Sequence, residues 1–176
     1  MSKLISAMLF AAACALPLAA NALYDPAPSA ALSAIEGSWQ GTLEYRDYQP
    51  PHKRVTLPTK PFVAAASPNE LSLHYIFDDG PKKIIHSYDR VAIDLAAGTV
   101  RFSGLKPTDT SVATVVSSKT VDGALEIVAE RTEEQKGATE VIRYRLRLSP
   151  SAFEILKTAG PKGAEGEFRN QYSFRR

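Results

Sequence analysis

The residues of this chain that could do chemistry are three histidines, a short acidic turn, a row of arginines and a set of tyrosines. His52 follows Pro50-Pro51 in a loop-like stretch, while His74 and His86 fall within alternating, strand-like segments. His74 and His86 meet only if the segments on either side of Asp78-Asp79-Gly80-Pro81 form a hairpin. A zinc site needs further ligands at a recognisable spacing, and none is present. No histidine sits in a motif suited to a proximal haem ligand. The Asp78-Asp79-Gly80-Pro81 run lacks the later ligands of a calcium loop and reads as turn chemistry. The sequence therefore names no metal ligand and no cofactor. There is no Gly-x-Ser-x-Gly, phosphate loop or His-Glu-x-x-His, and no serine has a base at an interpretable spacing, so no catalytic residue is assigned. The balance is against an enzyme.

Arg143, Arg145 and Arg147 share one face of a strand and would suit an anion, unless Glu126 and Glu130 of the preceding strand neutralise them. Tyr45, Tyr75, Tyr144 and Tyr172 each fall on a face with apolar neighbours. Their rings either fill a barrel or line a cavity with their hydroxyls as polar tips. These four are the ligand-binding candidates.

The elements that would position them are strands. The segment 36–48 alternates so that Trp39, Leu43 and Tyr45 share a face, with Gly41 where a second backbone can approach closely. The segment 53–66 follows, with Pro58 and Pro61 marking an edge, bend or bulge. Leu71, Leu73, Tyr75 and Phe77 share one face of the next strand. Further strands are predicted over 82–88, after a break over 90–95, and then over 99–103, 112–118, 124–131 and 140–148. A last strand runs over 168–176, with Phe168, Tyr172 and Phe174 on one face. Residues 149–160 carry helix signals at Ser149-Pro150 and Gly160, yet a strand over 153–158 pairing back on 143–148 fits slightly better.

Between 124–131 and 140–148 the charges suggest a register. With Glu126 opposite Arg145, Leu125 faces Leu146, Ile127 faces Tyr144 and Ala129 faces Ile142, leaving one apolar and one charge-compensated face. About nine to eleven short consecutive strands make a meander, and a sheet of that width closes or folds over to hide its edges. The fold class is all-β: an antiparallel up-and-down barrel of about 8–11 strands, with a two-sheet sandwich as the alternative.

Domain organisation is simple. Residues 1–22 read as a signal peptide: Lys3, an apolar run from Leu4 to Leu18, and Ala20-Asn21-Ala22 before the cleavage point. The rival start is a lipid-modified Cys14 after Ala11-Ala12-Ala13. Residues 23–35 form an extended, Pro/Ala-rich arm with a helical turn near Ala30, and 36–176 form one domain. Removing the leader takes away the only cysteine and both methionines, which leaves disulfides and thiolate chemistry without a residue. It also lowers Lys+Arg from 21 to 20 against 19 acidic residues, a balance that argues against a general nucleic-acid binder. No stretch has the roughly 20 apolar residues of a spanning helix. Export, with the periplasm as destination, is the expected localisation.

Gly37-Ser38-Trp39 on the first strand, with Arg175 or Arg176 on the last, resembles the signature of lipocalins and other calycins. In that family the tryptophan packs beneath a basic residue of the closing strand and plugs one end of the barrel. The resemblance covers the two ends of the domain, and the lipocalin disulfide is absent. It implies structural roles for Gly37, Trp39 and Arg175 and a lipocalin-like fold, as in uncharacterised proteins secreted by bacteria, but no activity. Three functions stay open: binding of a small apolar or amphipathic molecule, a protein-interaction module using a bare edge near Pro58 and Pro61, and an enzyme on the barrel scaffold.

Overall fold

The computed structural model describes residues 28–135 and 137–176. The leader over 1–22, the cleavage point after Ala22, Cys14 and the first residues of the arm lie outside the described residues. A helix, α1 (Pro28–Ala34), precedes the strands β1 (Gly37–Ser38), β2 (Gln40–Arg46), β3 (Arg54–Ser67), β4 (Glu70–Asp78), β5 (Ile84–Asp94) and β6 (Thr99–Ser103). A 3-10 turn over Pro107–Asp109 leads to β7 (Thr110–Val121), β8 (Ala124–Gln135), β9 (Ala138–Leu148), β10 (Ala152–Pro161) and β11 (Glu167–Arg175).

All strand pairs are antiparallel. From β4 to β11 each strand pairs with the next, β11 returns to β2, and β2 and β4 both pair with β3. The result is a closed ten-stranded barrel. The helix alternative for 149–160 gives way to β10, which pairs with both β9 and β11.

Closure depends on β3, which has enough length to serve two partners. Its residues 54–59 pair with β2, and from Thr59 onward it pairs with β4. Pro58 faces Thr42, Pro61 faces Tyr75, and the Pro61 carbonyl accepts the Trp39 N–H at 2.9 Å. The bare edge expected near the two prolines therefore shrinks to residues 54–58, which pair only with β2. Gly41 allows the closest approach. A Cβ there would overlap the Ser173 carbonyl oxygen and sit 2.9 Å from Phe174 Cα, so only glycine fits the β2–β11 seam.

The β8–β9 register differs from the expected one by two residues: Glu126 lies opposite Arg147, Ile127 opposite Leu146 and Ala129 opposite Tyr144. Glu133 and Glu134 belong to β8 rather than to the turn. Pairing runs on to Gln135 and Ala138, and Gly137 takes a φ of +78° in the connection. A shift of two leaves every side chain on its face. Arg143 still meets Glu130 at 2.6 Å and Arg147 meets Glu126 at 3.8 Å on the outer wall, while Arg145 faces Val128. Such exposed pairs are each worth about 0–1 kcal/mol. The inward rows dominate the stability, because each fully buried large apolar side chain contributes about 1.5–3 kcal/mol.

One end of the barrel is plugged. Leu32 and Ile35 from α1 and its exit are buried with Trp39, Phe153 and Phe174. The Trp39 indole N–H donates to the Ile35 carbonyl at 2.8 Å, and its ring meets Phe153 edge-on at 6.4 Å. Arg176, not Arg175, covers the indole, at 4.4 Å from its centroid. Arg175 instead pairs with Glu154 on the outer wall. The difference is one of parity: Phe174 points inward, so Arg175 must point out. Among the described residues, no helix is long and apolar enough to cross a membrane.

Candidate functional site

Toward the opposite end the interior is not completely filled. A cavity of about 270 Å³ lies against inward residues of β4, β5, β6, β9, β10 and β11 and the connection after β6. Its aromatic wall has two parts. Tyr75 and Tyr172 stack at 4.9 Å, and Phe102 stacks on Tyr144 at 4.3 Å. The Tyr144 hydroxyl accepts from Arg131 Nε at 3.2 Å, and the Lys157 ammonium lies 5.8 Å from the Tyr144 ring centroid. No described side chain hydrogen-bonds to the Tyr75 or Tyr172 hydroxyl, although Tyr75 is only 1% exposed.

The cavity also contains charge. Asp89 stands opposite Leu73 on the inward face of β5, and Asp109 reaches the same space from the 3-10 turn. Burial pushes the Asp89 carboxyl above its ordinary pKa. A 3.5 Å hydrogen bond from the Ser87 hydroxyl opposes that rise, and the negative charge of Asp109 adds to it. Burial raises Tyr75 and Tyr172 as well, with Asp89 contributing to both. Both tyrosines are therefore neutral at physiological pH and offer hydroxyl groups for hydrogen bonding.

No family model and no curated protein matches the chain.

Of the four tyrosines singled out from the sequence, the fold brings Tyr75, Tyr144 and Tyr172 to one cavity. Tyr45 occupies the inward face of β2 opposite Asn170, beside that cavity without lining it. Ile127, on the same face of the sheet, is fully buried in the packed core. Sequence reasoning missed Asp89, Asp109, Phe102, Lys157 and Asn170. For Asp89 the signal was available. Val91 and Ile93 mark the inward parity of β5, and counting back by two reaches Asp89; the break expected at that residue hid the continuity of Ile84–Asp94.

The histidines do meet, on the outer wall. His74 Nε2 lies 2.9 Å from His86 Nδ1, and the His74 ring stacks on Tyr88 at 4.3 Å. No group of three or more His, Cys, Asp or Glu suited to a metal occurs among the described residues. The acidic turn uses its groups internally: Asp78 Oδ1 accepts the Gly80 N–H at 3.2 Å, and Asp79 pairs with Lys83. A larger hollow of about 550 Å³ lies outside the barrel, where Pro58, Ile76 and Ile84 form a groove edged by Lys60, Asp78 and Arg175. It lacks what the inner cavity has, a converging aromatic wall with unpartnered polar tips.

Proposed function

We propose that this chain is an exported, lipocalin-like barrel that takes a small amphipathic molecule into the cavity at its unplugged end. The observation that carries this reading is the aromatic wall of Tyr75, Tyr172, Phe102 and Tyr144, on which the Tyr75 hydroxyl has no hydrogen-bond partner among the described residues. A hydroxyl that lines a cavity and bonds to no protein group is free to donate to, or accept from, a bound molecule. The calycin likeness is supported by Trp39 beneath Arg176 at the plugged end. Export to the periplasm rests on the leader-like sequence of residues 1–22.

The test is uptake of a neutral fluorescent probe, N-phenyl-1-naphthylamine, with displacement by small amphiphiles. The purified protein should bind it saturably, and Phe102→Ala should weaken binding by about tenfold, as expected for removing one aromatic contact. Phe102 is half-buried, so the fold should survive the change. Absence of uptake by the folded protein would sink the ligand-binding reading.

A second reading draws on the same cluster. A carboxyl with a raised pKa beside two tyrosines is also what an acid–base enzyme would use. Turnover of a captured molecule that disappears in Asp89→Asn would favour that reading.

A further inference from the structure

We propose that the cavity ligand carries an ammonium group that seats on Asp89, with its apolar body against the Tyr75–Tyr172 and Phe102–Tyr144 stacks. This assignment rests on the ligand-binding reading above and specifies the class of molecule.

The charge inside the barrel is negative where the aromatic wall meets β5. Asp89 has no ion-pair partner among the described residues, although it is partly buried against an aromatic-walled space. Its chain neighbour Arg90 borders the same cavity, but Arg90 has the opposite parity and its guanidinium reaches Glu70 at 3.4 Å. Lys157 enters the cavity from β10, yet its ammonium lies over the Tyr144 ring, and no ion pair joins it to Asp89. Asp109 adds a second negative charge to the same space. A partly desolvated carboxylate without a cation is costly, and a ligand that displaces the remaining water strengthens its attraction for a cation supplied from outside.

The aromatic wall favours the same ligand class. Tyr75 is 1% exposed, lines the cavity, and its hydroxyl bonds to no described residue. Its oxygen and that of Tyr172 are acceptors within the electrostatic reach of Asp89. Together they supply the acceptors that an ammonium group needs, since it has only donors to offer. The ring faces add cation–π attraction, which is strongest where water is excluded. A carboxylate ligand would meet Asp89 and Asp109 with like charge. A plain hydrocarbon would leave Asp89 without a counter-charge and the Tyr75 hydroxyl without a partner.

Three probes with one apolar body separate the cases by calorimetry: tryptamine, tryptophol and indole-3-propionate. Tryptamine should bind about tenfold or more tighter than tryptophol, the usual scale of a charge-assisted contact. Asp89→Asn should remove that advantage while leaving tryptophol affinity within about threefold, because the substitution keeps the side-chain shape. Asp109→Asn should reduce the advantage by a smaller factor. Equal binding of tryptamine and tryptophol, or tighter binding of indole-3-propionate through Lys157, would overturn the ammonium assignment and leave cavity binding standing. No binding of any of the three, with no uptake of N-phenyl-1-naphthylamine, would overturn both.

Discussion

The Arg176 guanidinium carbon lies 4.4 Å from the centroid of the Trp39 indole ring. The same side chain donates to the Glu36 and Pro150 carbonyls at 2.7 Å each and to the Ala34 carbonyl. One cation thus joins the end of α1, the α1–β1 connection and the β9–β10 connection over a buried ring. Gly37, at φ +112°, has Arg176 Nη1 3.6 Å from where a Cβ would stand.

This geometry makes the two residues energetically unequal and coupled. Trp39→Ala should cost about 3–5 kcal/mol, since it empties a buried aromatic site. Arg176→Ala should cost about 1–2 kcal/mol, its hydrogen bonds being partly exposed. The double variant should lose measurably less than the sum, because the stack is counted in both single variants. Urea denaturation of the four proteins checks this. Strict additivity would mean that Arg176 does not act through Trp39.

Gly41 gives a sharper test of barrel closure. Its Cβ would overlap the Ser173 carbonyl, a backbone atom that cannot move without opening the β2–β11 seam. Gly41→Ala should therefore destabilise by about 2–3 kcal/mol or more, although alanine suits a strand better than glycine does. A neutral or stabilising result in thermal melts would contradict the seam as described.

Asp89 predicts a pH dependence. Its folded pKa is raised, chiefly by burial, so the folded state holds the proton more tightly than the unfolded chain does. Stability should then fall as pH rises from the ordinary carboxylate range through the raised Asp89 value. Asp89→Asn should remove that decline and make the empty barrel more stable at neutral pH. At a pH below the ordinary carboxylate range the gain from Asp89→Asn should vanish. Melting temperatures of both proteins across pH 3–8 decide the matter, and equal slopes would exclude a partly buried Asp89 carboxylate without a counter-charge.

How much of this was legible in the residues follows from the range of the interactions concerned. Strand alternation is a local, two-valued property, so the inward placement of Trp39, Tyr75, Tyr144 and Tyr172 could be read from apolar neighbours two positions away. The close approach at Gly41 was legible for the same reason: a residue without Cβ sits on an otherwise filled inward face. Register was not legible to better than parity. Placing Glu126 opposite Arg145 or Arg147 satisfies the same charge pattern, and the extent of pairing around Gly137 decides between them. Asp89 was lost when β5 was divided at that residue, because parity cannot be carried across a break. The choice of Arg176 over Arg175 follows from the inward parity of Phe174, but its carbonyl partners come from two segments far apart in the chain, Ala34 and Glu36 in one and Pro150 in the other. The sequence alone determined which faces are apolar, that the domain is built of antiparallel strands, and which tyrosines point inward. Only the tertiary structure decided that β3 closes the barrel by pairing with both β2 and β4, and that Asp89, Asp109 and the tyrosines share one cavity. Those meetings depend on non-local pairing and on strand stagger around a closed sheet, which local periodicity does not encode.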